Sequence, residues 1–289
     1  MQKLIINTDR GQSITLGNSR PFILSKIDNT AGVKTNIITT KSPYQDGKNY
    51  HGTTLEDRVL PVTGAIISTS TEDLYRKRMN LCSIFNPKAK INITYINNAG
   101  EHSIECVVQD SPVFNKKTGL MQEFLVQLYC PSPFWQDIYE TKEEVALWIG
   151  DFEFTLEIPD EGIEMGHRES NLIVNIFNDG DIECGMRIEF TALATVVNPS
   201  LFDINTRKYI KVKRSLQAGD KLVINTKFGD KTVEMIRSNG ERQNVFNWID
   251  LDSEFLQLNV GDNLFRYDAE QGIDNLEVAI YYKKNYLGV

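Results

Sequence analysis

The chain has 289 residues, of which 41% are hydrophobic, 10% aromatic and 24% charged, and its formal net charge is −8. These proportions are those of a soluble globular protein and argue against a disordered, collagen-like or coiled-coil chain. A chain of this length is near the upper limit for a single hydrophobic core, so we expect two domains of roughly 130 to 150 residues each.

The N-terminal segment contains only a short apolar run, residues 4–6. That run is too short for a signal peptide or a membrane span, and no later segment approaches about 18 uninterrupted apolar residues. We therefore expect no membrane insertion, and a protein that is kept in the cytosol or released by lysis.

The cysteines are widely spaced, form no C-x-x-C pair and match no metal-binding template. Free cysteine packs as a small apolar side chain. We therefore expect reduced and mostly buried thiols at four positions: Cys82, Cys106, Cys130 and Cys184.

Charge is distributed unevenly along the chain. Residues 1–135 carry 15 Lys and Arg against 11 Asp and Glu, a net charge of +4, whereas residues 136–289 carry 16 against 28, a net charge of −12. This shift indicates two units with different surroundings, divided near the Pro133-Phe134-Trp135 segment. Neither half is basic enough to predict specific binding of nucleic acid.

One long helix is predicted in the first half. Thr69 and Glu72 fit a capping box, and the helix is expected to end at Asn86-Pro87. Four side chains recur on one stripe and are predicted to face the core, namely Leu74, Leu81, Cys82 and Phe85.

The rest of the first half is predicted to form strands. Residues 91–95 and 104–108 alternate and are separated by a polar turn, which favours a hairpin. Residues 124–130 form a further strand, with alternate side chains on one face: Phe124, Val126, Leu128 and Cys130.

The second half alternates in the same way. Residues 171–177 lead through the turn 178–181 into residues 186–190, which are predicted to be the paired strand. Further strands are expected at residues 222–226, 232–236, 255–258 and 276–282, and turns at this spacing favour an antiparallel β-sandwich. The basic run 207–214 is typical of a solvated edge strand.

Catalytic chemistry has weak support in the sequence. His51, His102 and His167 lack zinc-site spacing, and the usual motifs of acyl transfer and nucleotide binding are missing. We therefore expect no catalytic residues, no cofactor and no metal. Carboxylate pairs leave a wall-degrading hydrolase open as an alternative, because glycoside hydrolysis uses two such groups. The pairs are Glu143 with Glu144, Asp160 with Glu161, and Asp250 with Asp252.

Aromatic side chains leave a sugar site as a further alternative. Aromatic rings can stack on sugars, although in a β-sandwich most of them fill the core. The candidates for stacking are Trp135, Trp148, Trp248, Tyr281, Tyr282 and Tyr286.

Short motifs in a fixed order resemble the distal tail protein family of long, non-contractile-tailed bacteriophages, the siphoviruses, also called phage tail component proteins. They extend over nearly the whole chain, and the predicted helix lies among them. The motifs are Tyr50-His51-Gly52, Leu55 to Arg58, Pro61-Val62-Thr63-Gly64, Pro133-Phe134-Trp135, Asn178-Asp179-Gly180-Asp181 with Gly185, Gly261-Asp262-Asn263 and Tyr286-Leu287-Gly288-Val289.

The resemblance implies a structural virion protein of the phage tail tip, assembled in the host cytoplasm, and not an enzyme. It implies a mainly β fold with one long helix, in which residues 1–135 form a ring-forming β domain. Residues 136–289 would form an antiparallel β-sandwich of galectin-like or carbohydrate-module-like type.

Six copies would close into a ring that joins the tail tube protein to the tail-associated fibre or lysin protein. In some phages the ring also carries receptor-binding proteins. The alternative function is a carbohydrate-binding adhesin of the baseplate that recognises host cell-wall sugars.

Structural roles follow for four residues if the resemblance holds. Arg58 would form an ion pair or bind backbone carbonyls, because its guanidinium presents five donors in a rigid fork. Phe134 and Trp135 would pack as an apolar hinge between the domains. Tyr286 would close a terminal strand onto the body of the protein.

Overall fold

The computed structural model describes residues 2–146, 148–149, 167–168 and 172–289. The chain forms two compact units, the first made of Met1–Ile138 with Asn285–Val289 and the second of Tyr139–Lys284. The predicted boundary between residues 135 and 136 lies three residues from this division. The last five residues, predicted in the second domain, belong to the first unit.

The first unit is mostly β-structure, with one α-helix. Its elements in chain order are β1 (Lys3–Thr8), β2 (Ser13–Leu16), β3 (Phe22–Ile27), β4 (Thr35–Thr40), β5 (Asn49–Leu55), β6 (Arg58–Ile67), α1 (Thr71–Ile84), β7 (Lys90–Ile96), β8 (Glu101–Thr118), β9 (Met121–Cys130) and β10 (Trp135–Asp137), with the last strand of the chain, β26 (Asn285–Tyr286).

An antiparallel sheet forms the body of this unit. Its strand order is β2-β1-β7-β8-β9-β6-β3, and β10 pairs with both β8 and β26. Alternate residues of the strands face one core, because successive side chains of a strand point to opposite faces. The predicted hairpin is confirmed, with Ile91 opposite Cys106, and so is the buried face of β9, from Phe124 to Cys130.

Helix α1 lies against β6 and β8 and buries Leu74, Leu81 and Ile84. Its cap differs from the predicted capping box by one residue: the Ser70 hydroxyl, not that of Thr69, accepts the backbone N–H of Asp73 at 3.1 Å. The Asp73 carboxylate in turn accepts the backbone N–H of Thr69. The return bond therefore comes from the residue before the cap, whereas in a standard capping box it comes from the N–H of the cap residue itself.

Cys82 also differs from its prediction, because it is exposed, whereas Cys106, Cys130 and Cys184 are buried. Within the described residues, no helix combines the length and apolar character needed to span a membrane.

In its described residues, the second unit is built from strands and two short 3-10 helices. Its elements are β11 (Thr141–Ala146), β12 (Trp148–Ile149), β13 (His167–Arg168), β14 (Ile173–Asn178), β15 (Cys184–Ala192), β16 (Val196–Val197), β17 (Ser200–Asp203), β18 (Lys208–Lys211), β19 (Ser215–Leu216), β20 (Lys221–Asn225), β21 (Thr232–Ile236), β22 (Arg242–Asn244), β23 (Gln257–Leu258), β24 (Gly261–Asp268) and β25 (Leu276–Tyr282), with 3-10 helices at Phe246–Trp248 and Ile273–Asn275.

Two antiparallel sheets with one shared core make this unit a sandwich. One sheet has the order β11-β25-β15-β20-β21-β22, with β23 paired to β15, and the other has the order β14-β24-β17-β18. Ile188 and Ile280 of the first sheet pack in the same cluster as Leu201 and Phe265 of the second. The predicted fold class, mainly β with one long helix and an antiparallel sandwich, is confirmed.

One predicted pairing in this unit is wrong. Residues 173–178 do not pair with residues 184–192, because β14 pairs along its whole length with β24, whereas β15 lies between β20 and β25. The turn between them crosses from one sheet to the other. Buried Asn178 fixes this crossing, since its side-chain amide donates to the Leu258 carbonyl at 3.1 Å.

The basic run ends a sheet, as predicted. β18 is the last strand in the order of the four-stranded sheet. Its Lys208 is exposed and pairs with Glu254, while Ile210 is fully buried. The outer edge of this strand is not solvated as predicted, because the backbone N–H groups of Asp250 and Glu254 donate to the carbonyls of Lys211 and Tyr209.

Two glycines of the sequence motifs are required by close packing. A Cβ on Gly64 would lie 2.5 Å from the Phe124 ring and 2.7 Å from the Ile23 carbonyl oxygen. A Cβ on Gly185 would lie 2.6 Å from the Cα of Lys227. Glycine in a strand interior often marks such a close approach of neighbouring backbone.

Candidate functional site

Arg58 lies at the start of β6 and is 2% exposed. Its guanidinium donates to three backbone carbonyls, those of Pro133 at 2.9 Å, of Leu287 at 2.6 Å and of Asn29. Burial lowers the pKa of Arg58 from its ordinary value, and attraction to Cys130 opposes that shift. One side chain thereby ties together three segments that are far apart in sequence.

Trp135 is fully buried in the core of the first unit, where its ring lies 5.9 Å from that of Tyr95. Its indole N–H donates to the Thr30 carbonyl at 3.0 Å. Trp135 and Arg58 therefore hold neighbouring carbonyls of one loop. Phe134, predicted to share a hinge with Trp135, is only half-buried and lies outside the core cluster of this unit.

Tyr286 lies in β26 opposite Trp135 of β10, and Gln136 lies opposite Asn285. The Tyr286 hydroxyl donates to the Asp137 carboxylate at 3.1 Å. Its ring also meets that of His102 edge to face, with the ring centres 4.8 Å apart. Residues 285–289 are thus held on the first unit by strand pairing and by side chains.

His102 makes this contact sensitive to pH. Its Nδ1 atom is buried without a hydrogen-bond partner in the described residues, and burial lowers the pKa of His102 below 6.5, although Asp137 opposes the shift. The unfolded chain then binds the proton more readily than the folded chain. Stability is therefore complete above the unfolded pKa and is lost as the pH falls through it.

We expect the first unit to unfold at a lower urea concentration at about pH 5.5 than at about pH 7.5. These two pH values lie on either side of the ordinary histidine pKa. His102→Phe keeps an aromatic ring against Tyr286 and removes the titration, so its midpoint should vary less over this range. His51→Phe, at an exposed position, is the matched control. Equal slopes for His102→Phe and the wild type would contradict the assignment.

The β4–β5 hairpin forms a sheet of its own, which we call the arm, residues 35–55. Both of its strands are exposed along almost their whole length. Four large apolar or aromatic side chains of the arm are exposed: Ile37 by 59%, Ile38 by 47%, Tyr44 by 106% and Tyr50 by 65%. The arm therefore presents apolar surface on a two-stranded ribbon.

His51 lies in the arm, where its Nε2 atom is 2.6 Å from the Thr40 hydroxyl. This pair is exposed and lies beside the apolar side chains of the hairpin. The sequence carried a signal for the arm, since the turn-forming residues Pro43, Asp46 and Gly47 lie between two runs of strand-forming residues, and Gly47 has a φ of +79°.

The predicted carboxylate pairs do not form a common site in the described residues. Asp250 pairs with Lys213 at 2.8 Å, which lowers the pKa of Asp250, and Glu144 pairs with Lys142. The pair Asp160 and Glu161 lies outside the described residues. Among the residues that are described, no cluster of three or more His, Cys, Asp or Glu could hold a metal ion.

The aromatic candidates for sugar stacking are not brought together on one surface. Trp135 belongs to the first unit and is buried; Tyr282 belongs to the second and is also buried. Tyr281 is covered by the Arg187 guanidinium at 4.0 Å from its ring centre. The side chain of Trp148 lies outside the described residues. A cleft of about 490 Å³ in the second unit contains none of the candidates.

Comparison with protein families assigns both parts of the chain. The phage tail protein RIFT-related domain matches residues 9–130, and the siphovirus-type tail component, C-terminal domain, matches residues 179–286. This chain belongs to the distal tail protein family of siphoviruses. It is a structural component of the phage tail, and so part of the virion.

Solved structures resemble this distal tail protein in fold. The crystal structure of SPP1 Dit (gp 19.1), described as a paradigm of the hub adsorption apparatus in phages that infect Gram-positive bacteria, is 13% identical, with 98% of each chain covered and a TM-score of 0.68. A chain of the phage P2 baseplate, in its activated conformation with Ca, is 13% identical over 100% of both chains, with a TM-score of 0.59. No curated protein matches the sequence.

Proposed function

We propose that this distal tail protein forms a homo-hexameric ring, assembled in the host cytoplasm. The ring joins the tail tube protein to the tail-associated fibre or lysin protein and, in some phages, carries receptor-binding proteins. Its role is structural and not enzymatic. The observation that carries this proposal is the exposed arm of the first unit.

An isolated two-stranded hairpin is only marginally stable in water. The arm nevertheless exposes Ile37 and Ile38, which follow one another on β4 and so point to opposite faces of the ribbon. Each apolar square ångström removed from water contributes about 25 cal/mol. Docking of the arm on another surface would therefore stabilise both the arm and the assembly.

A neighbouring copy of the chain is the partner that this geometry favours. An arm that meets a different surface on the next subunit makes a heterologous contact, and such contacts generate a closed ring when the rotation between subunits closes. Closure at six copies would leave every arm covered. It would also prevent growth into filaments.

Light scattering coupled to size exclusion tests the ring, with an expected mass of six times 32.9 kDa at high protein concentration. A charge on the docking face of the arm should separate the subunits. At least one of the single variants Ile37→Asp and Ile38→Asp is therefore expected to elute as a monomer with an unchanged circular dichroism spectrum.

Leu251→Asp is the control, because Leu251 is 98% exposed and belongs to the second unit. It should leave the ring intact. Two arm variants that remain hexameric would exclude the arm as the ring contact. A wild-type chain that stays monomeric and binds wall glycans on an array would favour the carbohydrate-binding adhesin instead.

A further inference from the structure

Two buried cysteines of the first unit face each other across adjacent strands. Val107 of β8 lies opposite Tyr129 of β9 in an antiparallel register. The next pair in the same register is Cys106 of β8 and Cys130 of β9. Cys106 is 3% exposed and Cys130 is fully buried, and both side chains belong to the same core cluster.

The two thiols are neighbours in this core. The presence of the Cys130 thiol, together with burial, raises the pKa of the Cys106 thiol. Directly opposed residues of an antiparallel pair have Cα atoms about 4.5 to 5.5 Å apart, which lies within the range that a disulfide bond spans. The backbone therefore already has the spacing that a cross-strand bond needs.

Arg58 makes the two sulfur atoms unequal. Arg58 lies opposite Cys130 in the register of β6 and β9, and its guanidinium attracts the charge of Cys130. The neighbour of Cys106 on its other side is Ile91, which is apolar and buried. Cys130 therefore has a cation beside it, whereas the other neighbour of Cys106 is apolar.

We propose that Cys106 and Cys130 are a latent disulfide site, which peroxide closes once the virion has left the reducing cytoplasm. The Cys130 sulfur attacks one oxygen of hydrogen peroxide, the O–O bond breaks, the thiol proton passes to the departing oxygen, and a sulfenic acid and water form. The Cys106 sulfur then attacks the Cys130 sulfur, the S–O bond breaks, and the Cys106 proton leaves with the oxygen. Two thiols and one peroxide thus give one disulfide and two waters.

The bond would join β8 to β9, two neighbouring strands in the middle of the sheet, and close the loop between residues 106 and 130. A cross-link over a loop of this length restricts the unfolded chain and stabilises the folded unit. Thiols are kept reduced in the cytoplasm and disulfides persist outside cells. The site would therefore reinforce the tail tip after release, and it does not depend on ring assembly.

Treatment of the full chain with hydrogen peroxide, followed by intact mass measurement and non-reducing peptide mapping, tests the proposal. The expected product is 2 Da lighter, links the peptides of Cys106 and Cys130, retains two of four thiols and reverts with dithiothreitol. Its thermal midpoint should rise by several degrees.

Cys106→Ala and Cys130→Ser should each abolish the link, and Cys82→Ser, at the exposed cysteine, should leave it intact. Should either core variant fail to fold, the linked peptides of the wild type still decide the matter. Oxidation of Cys82 alone, sulfinic acid at Cys130 without a link, or a link that involves Cys184 would each overturn the proposal.

Discussion

Replacement of Arg58 by methionine is expected to lower the free energy of unfolding of the first unit by about 3–5 kcal/mol. Methionine fills much of the same volume but cannot donate a hydrogen bond. It would leave the carbonyls of Asn29, Pro133 and Leu287 without their present partner inside the protein. The bond to the Pro133 carbonyl is the fully buried one, and a buried acceptor left unpaired costs about 1–3 kcal/mol.

Chemical unfolding followed by tryptophan fluorescence measures this loss. Arg58→Lys keeps the positive charge, but a single ammonium group cannot reproduce the planar fork, so an intermediate loss is expected. Arg76→Met is the matched control: the Arg76 side chain is 77% exposed in its pair with Asp73, and its loss should be within about 0.5 kcal/mol. A loss below about 1 kcal/mol for Arg58→Met would contradict the assigned role.

Trp135→Ala is expected to cost about 3–5 kcal/mol, the usual loss when a large core aromatic is truncated. Trp135 is fully buried, touches Tyr95 and donates its indole N–H to the Thr30 carbonyl. Trp135→Phe keeps most of the packing and loses the donor, so it should cost about 1–2 kcal/mol. Calorimetric melting of the three proteins separates packing from hydrogen bonding.

Phe134→Ala is the neighbouring control, and it should cost less than half as much as Trp135→Ala because Phe134 is half-buried and outside the core cluster. The double variant Arg58→Met with Trp135→Ala should be less destabilised than the sum of the two single losses. Both side chains hold the same loop, at Asn29 and Thr30. Strict additivity, or equal losses at Phe134 and Trp135, would argue against this shared role.

The sequence predicts the strands and the helix of this protein well, because local alternation decides which face of an element is apolar. The capped helix and the buried face of β9 follow from such patterns. The cap was displaced by one residue, since Thr69 and Ser70 are both good caps and only the chain direction before the helix distinguishes them. Cys82 was misplaced because it lies at the margin of the apolar stripe.

Contacts between distant segments could not be predicted in this way. Asn178-Asp179-Gly180-Asp181 is a good local turn, but a turn does not determine whether the next strand stays in the same sheet. The partners of Arg58 lie 29, 75 and 229 residues away, and they are backbone atoms that no side-chain pattern reveals. That Cys106 lies opposite Cys130 likewise depends on the register of β8 and β9, and the pattern of a single sequence does not determine that register.

The pairing of β10 with β26 makes the second unit an insertion within the first. The chain leaves the first unit after Ile138 and returns at Asn285, and these two junctions lie next to each other because Gln136 pairs with Asn285 and donates a side-chain hydrogen bond to it at 2.9 Å. A module spliced in at this point needs only two adjacent ends. Exchange of the inserted module for another would therefore leave the sheet, the arm and the Arg58 contacts of the first unit as they are.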